Sequence, residues 1–139
     1  MLSLAIGLFL LVALFAVPVW ENDAKLAAMI DRFESSPLPP KSDWLEYGSP
    51  DASVELRGNG NHCDYRARFM LRTQLTGREL TDYYDRLDIA GVEGTPPSIT
   101  VWMPEPSKRS AYYSEGFGSH RAIVELSDST DNGWDLRCT

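Results

Sequence analysis

The first part of this chain lacks charge. No Asp, Glu, Lys or Arg occurs between Met1 and Trp20, and the first charged residue is Glu21. A bilayer core about 30 Å thick needs about 20 helical residues, so the segment is long enough to cross it. Trp20 stands just before Glu21 and Asp23, at a place where an aromatic residue favours the membrane–water boundary. The absence of charge therefore predicts a transmembrane anchor over residues 1–20.

The same segment lacks the marks of a secretory signal peptide. No Lys or Arg precedes the apolar run, and Ala16 as the cleavage position has Leu14 where a small residue is expected. No cysteine follows the run, which argues against a lipoprotein anchor. A buried helix of a soluble core is disfavoured because the segment has no polar face. We favour a retained single-pass anchor, with secretion after signal cleavage as the alternative.

Cations are scarce in the rest of the chain. The sequence has 13 Lys and Arg against 20 Asp and Glu, which gives a formal net charge of −7. Nucleic-acid phosphates and anionic lipids both require clustered cations. We therefore expect no nucleic-acid partner, and we interpret the acidity as a source of solubility.

Cysteine is also scarce, since Cys63 and Cys138 are the two that the chain contains. Only one intramolecular pairing is possible, and outside the reducing cytosol the two are expected to join. The bridge would close a loop of about 75 residues and contribute up to about 4 kcal/mol in the chain-entropy model. The alternative is two separate buried thiols. Together with the anchor, a disulfide predicts a domain outside the cytoplasm.

Three parts follow from the pattern along the chain. Residues 1–20 are the anchor or signal segment, 21–40 a helical stem with a proline-rich linker, and 41–139 an extracytoplasmic domain. The stem is predicted as a helix that continues the anchor past Pro18, because its apolar residues have helical spacing: Leu26, Met29, Ile30 and Phe33. The prolines of the run 35–40 end that helix.

The clearest strand pattern follows the glycine–asparagine turn at residues 58–61. From Cys63 onward, apolar residues alternate with charged or polar ones, which indicates a sheet with one solvated face. Four further segments are predicted as strands: 53–57, 98–103, 120–127 and 134–138. In the last of these, Trp134, Leu136 and Cys138 are expected to face the core.

One helix interrupts the strands. Thr76 followed by Glu79 is a capping box, and Gly91 is the expected stop. The buried stripe of this helix comprises Leu80, Tyr83, Tyr84 and Leu87. The predicted fold is α+β: an N-terminal transmembrane and stem helix, then a two-layer domain of one helix on an antiparallel sheet of about five strands.

Several of these motifs occur together in a familiar arrangement. They are the Gly-Asn-Gly-Asn-His-Cys-Asp-Tyr run at 58–65, Leu75-Thr76, Tyr83-Tyr84 with Leu87, and Ala90-Gly91. In this arrangement the chain resembles small membrane-tethered bacterial proteins of unknown function, over residues 53–139. The resemblance implies an extracytoplasmic α+β domain and no activity. Many such proteins have Trp after the glycine, where this chain has Val92.

The run His62-Cys63-Asp64 is the main candidate for catalysis. A nucleophilic cysteine needs a base close in space, but adjacent residues of a strand point to opposite faces. His62, His120 and the two cysteines lack the close ligand spacing of zinc motifs. The sequence therefore predicts no catalytic residue, no metal site and no cofactor.

Two surfaces are candidates for binding. Their residues are Arg66, Arg68 and Arg72 on the polar face of the long strand, and Tyr112, Tyr113 and Phe117 in a glycine-containing loop. The alternative for the arginines, with Arg57, is a solvated face paired with Glu55 and Asp64. The alternative for the loop is a hairpin whose tyrosines cover the core.

The sequence favours a non-enzymatic, membrane-anchored binding or interaction module of the bacterial cell envelope. Its expected partners are the membrane, through residues 1–20, and a protein of the envelope. One alternative is a small hydrolase or metal-dependent enzyme that uses His62 or His120. The other is a small subunit of a membrane complex, in which the anchor helix itself is the interface.

Overall fold

Two α-helices and five strands make up the described part of the chain, so the fold is α+β. A computed structural model describes residues 2–45, 50–104, 120–131 and 133–139. In chain order the elements are α1 (Leu2–Glu34), β1 (Ser42–Trp44), β2 (Asp51–Glu55), β3 (His62–Thr73), α2 (Gly77–Tyr84), β4 (Ser98–Trp102) and β5 (His120–Asp131), followed by a 3-10 turn, Leu136–Cys138.

Helix α1 is continuous from the apolar segment into the stem, as predicted, with Pro18 inside it. Its first half is apolar and exposed: Phe9 shows 71% of its surface. In its second half, Met29 and Phe33 are buried in the hydrophobic core. By length and composition α1 is able to cross a membrane. One helix therefore joins an uncovered apolar segment to the core of the domain.

All strand pairs in the described sheet are antiparallel, and β3 is its centre. The strand order is β1-β3-β5-β4, and β2 pairs with β3 on the same side as β1. Strand β3 therefore has β1 and β2 along one edge and β5 along the other. The ladder between β3 and β5 extends from the pair His62–Asp131 to the pair Thr73–His120.

The core lies between the inner face of the sheet and the two helices. Alternate residues of β3 are buried, which confirms the predicted alternation. The inner residues of β3 and β5 are Cys63, Tyr65, Ala67, Phe69 and Leu71, with Ala122, Val124 and Leu126. The predicted capping box at the start of α2 is also present, because the Thr76 side chain accepts from the backbone of Glu79 and the Glu79 side chain accepts from that of Thr76.

The prediction of a strand over residues 134–138 is wrong. The segment ends in a 3-10 turn, and the expected alternation is reversed. Trp134 and Leu136 are 68% and 65% exposed, whereas Asp135 between them is fully buried. The physical reason is that the Asp135 carboxylate caps the turn, accepting from the backbone N–H of Arg137 at 3.0 Å. Cys138 is buried, as expected.

Gly91 does not end α2, contrary to the prediction, since that helix ends at Tyr84. Gly91 instead lies where the chain passes close to β5. A Cβ atom there would be 2.1 Å from an Asp128 carboxylate oxygen and 2.5 Å from the Thr95 carbonyl oxygen. The glycine is therefore required by this close approach rather than by the helix terminus.

Candidate functional site

The predicted disulfide is present and joins Cys63 to Cys138, with 4.8 Å between their Cα atoms. It connects the start of β3 to the 3-10 turn, and both cysteines are fully buried. Because the two sulfurs are bonded to each other, Cys63 has no thiolate to act as a nucleophile or a metal ligand.

Beside the disulfide, a buried amide connects α1 to the domain. Asn22 donates through Nδ2 to Asp135 Oδ2 at 2.8 Å and lies 3.3 Å from Cys63 Sγ. Its Oδ1 accepts from the Tyr65 hydroxyl at 2.7 Å. Burial raises the pKa of Tyr65, so this hydroxyl stays a donor at neutral pH. Both the nitrogen and the oxygen of the Asn22 side-chain amide are therefore hydrogen-bonded.

Arg137 completes this arrangement. Its Nη2 lies 2.8 Å from Asp135 Oδ2 and 3.2 Å from the carbonyl oxygen of Val19, and its Nη1 lies 2.8 Å from Asp23 Oδ1. The hydrogen bonds from Arg137, with that from Asn22, lower the pKa of Asp135 to about 2 against the cost of burial. We call Asn22, Asp23, Tyr65, Asp135 and Arg137 the polar clamp.

The contacts of the polar clamp fix the orientation of α1. Its carboxylate, amide and guanidinium are each held by specific partners, and charge-assisted hydrogen bonds of this kind are directional. They therefore fix where α1 lies against the domain. The sequence does not predict the clamp, because a strand over residues 134–138 with Trp134, Leu136 and Cys138 facing the core places Asp135 on the opposite face. The available signal is Asn22, an uncharged amide two residues after the long uncharged run.

The two histidines lie at opposite ends of the sheet. His62 Nε2 is 3.1 Å from Asp64 Oδ2 and 3.2 Å from the Arg57 carbonyl oxygen, so it closes the turn between β2 and β3. His120 lies at the other end of the β3–β5 ladder. Eleven residue steps at about 3.3 Å each place the two roughly 36 Å apart. The structure therefore does not bring His62 and His120 into one site.

The arginines of the outer sheet face have acidic neighbours. Arg68 forms an ion pair with Glu125, and its Nη1 lies 3.9 Å from Asp51 Oδ2. The same Asp51 oxygen lies 3.8 Å from Arg66 Nη2. Arg57 is bonded to Glu55, as the alternative predicted. Ion pairs of this type on an exposed face contribute little to stability.

Arg72 is exposed and lies in register between Asp43 and Arg121. Tyr112, Tyr113 and Phe117, the other predicted binding residues, lie outside the described residues.

An apolar row crosses the same outer face near the end of β3. Met70 is directly opposite Ile123, which is directly opposite Trp102. Met70 and Trp102 are 44% and 54% exposed. Exposed large apolar side chains on neighbouring strands are typical of interaction surfaces. Sequence reasoning did not find this outer apolar row because it depends on the cross-strand register.

A surface cleft of about 400 Å³ lies beside the end of α1 and is lined by Asp31, Arg32, Ser35, Ser36, Asp88, Ile89 and Ala90. Arg32 crosses it and donates to the carbonyl oxygens of Ala90 and Gly91 at 2.8 and 2.7 Å. Neither His62 nor His120 lines this cleft. Arg32 therefore connects α1 to the segment after α2.

Comparison of the chain with known proteins found no match among family models, curated proteins or solved structures. The resemblance to small membrane-tethered bacterial proteins stays a prediction.

Proposed function

We propose that this chain is a membrane-anchored interaction module of the bacterial envelope, with its domain outside the cytoplasm and without enzymatic activity. The observation that carries the proposal is the continuity of α1. Its first half presents apolar side chains that the described domain does not cover, and its second half is buried in the core. A helix of this kind favours a domain held at a fixed height above a bilayer.

The disulfide supports an oxidising compartment. Disulfides persist outside the cytosol and are rare within it. The bridge between Cys63 and Cys138 lies against the polar clamp, close to where α1 leaves its exposed apolar half. The anchor and the bridge together favour an outward-facing domain.

The outer apolar row is the surface that best fits a protein partner. Met70, Ile123 and Trp102 are neighbours across the strands, and the basic residues Arg72 and Arg121 form the next pair on the outer face. Aromatic residues, Met and Arg are the types enriched in protein interfaces. We therefore assign partner binding to this end of the outer face.

Fractionation of bacteria that express the full chain tests anchoring and sidedness. We expect the uncleaved, full-length protein to stay with the membranes during extraction with alkaline carbonate. We also expect protease added to spheroplasts to digest its domain. Release of a shortened chain would support signal cleavage instead. Retention with full protection from protease would contradict the outward orientation.

Site-specific crosslinking tests the binding surface. A photo-reactive amino acid in place of Trp102 is expected to give a discrete adduct in native membranes. The same group in place of Arg78, an exposed residue of α2, is the matched control and is expected to give none. Equal labelling at both positions would contradict the assignment. An adduct that disappears when residues 5–17 are exchanged for polyleucine would favour the membrane-complex alternative.

A further inference from the structure

We infer that Trp134 and Leu136 contact the interfacial layer of the same bilayer in which α1 is anchored, so that the domain rests on the membrane beside its own anchor. This inference rests on the proposed anchoring. We call these two residues the C-terminal contact surface.

The first observation is exposure. Trp134 and Leu136 flank the fully buried Asp135, whose carboxylate caps the 3-10 turn, and both apolar side chains are exposed. The Asp135 contacts with Asn22 and Arg137 fix the position of this turn. Two large apolar side chains are therefore held in solvent by a buried polar arrangement.

The second observation is position along α1. The Arg137 guanidinium contacts the Val19 carbonyl oxygen and the Asp23 carboxylate, so the C-terminal segment lies beside the helix on either side of Trp20. Trp20 is 69% exposed and ends the uncharged run. The C-terminal contact surface therefore lies at the level where α1 would leave the membrane.

The direction of the sheet gives an independent argument for the same level. Asn22 contacts Tyr65 near the start of β3, and Phe33 contacts Phe69 further along it. Helix α1 and β3 therefore run the same way, and the start of β3 is at the membrane side. Cys138 is bonded to Cys63 at this start. Trp102 of the outer apolar row lies toward the other end, since its ladder partner Ile123 is opposite Met70.

The chemistry of the surface points to lipid. Tryptophan favours the headgroup level of a bilayer because its ring is apolar and its N–H finds a partner there. The Arg137 guanidinium is paired with Asp23 and Asp135, and the chain has a net negative charge. The proposed contact therefore does not depend on attraction between cations and anionic lipid. The occupant is the boundary between headgroups and acyl chains of a zwitterionic bilayer, continuous with the one around α1.

Bromine quenching of tryptophan fluorescence tests the contact. The full chain carrying Trp20→Phe is reconstituted in phosphatidylcholine vesicles with bromine high on the acyl chains. We expect part of its emission to be quenched. Adding Trp102→Phe should leave the quenched part intact, whereas adding Trp134→Phe should abolish it. The variant with Trp102→Phe retains Trp134, so the result does not depend on how Trp134→Phe folds.

The outcomes separate this inference from the proposed function. Protein that stays in the vesicles through alkaline carbonate, but whose Trp134 emission is unquenched, overturns the contact and leaves the anchor. Protein released by carbonate overturns the anchor and the contact together. A third outcome is that Trp134 is shielded from aqueous acrylamide in native membranes but is not quenched by bromine in pure lipid vesicles. This result would show that a protein covers the surface, and it would also overturn the inference.

Discussion

The two ends of the contact between α1 and the domain are built from opposite chemistry. Near the proposed membrane, Asn22 and Asp23 are held by directional hydrogen bonds and by an ion pair, next to a disulfide. Eleven residues further along, Phe33 packs among three aromatic rings, with centroid distances of 4.5 Å to Phe69, 5.6 Å to Tyr84 and 5.9 Å to Trp44.

The difference shows how one helix obtains both stability and orientation. Apolar burial is large in energy but does not depend on direction, so the aromatic end supplies most of the free energy. Hydrogen bonds contribute about 1 kcal/mol each but require defined geometry, so the polar clamp fixes rotation and height. Substitutions at the two ends of this contact separate the two roles.

Removing the aromatic ring of Phe33 should have the largest effect. Phe33→Ala is expected to lower the free energy of unfolding by about 3–5 kcal/mol, because it leaves a cavity among packed rings. Chemical denaturation monitored by circular dichroism measures it. The matched control is Phe9→Ala in the exposed half of the same helix, which should leave the stability of the domain unchanged. Equal effects of the two substitutions would contradict the division of α1.

Opening the disulfide should come next. The double variant Cys63→Ala/Cys138→Ala is expected to lose about 2–4 kcal/mol, since the unfolded chain regains the freedom of a long loop. Denaturation of the oxidised protein with and without reductant gives the same comparison without mutation. A denaturation midpoint that reductant does not move would show that the bridge is not structural.

Breaking the polar clamp should lower the free energy of unfolding by less than opening the disulfide does. Arg137→Gln is expected to lower the free energy of unfolding by about 2 kcal/mol, because hydrogen bonds between charged groups are lost and Asp135 stays buried. Arg86→Gln, on an exposed residue after α2, is the control and should change stability by less than about 0.5 kcal/mol. Similar losses in both variants would mean that the clamp does not stabilise the fold.

The pH dependence of that loss is the smallest effect. The pKa of Asp135 falls from an ordinary 3.8 to about 2 in the folded protein, chiefly through Arg137. A depressed carboxyl pKa contributes stability above the unfolded value, and that contribution disappears as pH falls through the folded value. The difference in stability between the wild type and Arg137→Gln should therefore shrink between about pH 4 and pH 2. A constant difference would contradict the role of the carboxylate.

The sequence predicts the parts of the fold that repeat a simple local pattern. The alternation along β3 and the capping box at Thr76 each involve residues close in sequence, so period and spacing are sufficient to find them. The sequence does not predict strand β1, because three residues are too short to show a period.

The polar clamp could not be predicted for a different reason. Asn22 and Asp135 are 113 residues apart, and nothing local shows that they meet. The disulfide was predicted because the chain has only two cysteines, although the last segment turned out to be a 3-10 turn rather than a strand. The number of cysteines was therefore sufficient to predict the pairing, although the secondary structure predicted around Cys138 was wrong.

A continuous α1 would make the proposed anchor and the domain one rigid unit. Backbone order parameters from nuclear magnetic resonance, measured on the full chain in lipid nanodiscs, test this rigidity. Across Val19 to Asp23 we expect values of about 0.85, equal to those around Phe33, as for rigid backbone. Values below about 0.6 in this stretch, with the rest of the stem rigid, would contradict the claim and indicate a flexible joint.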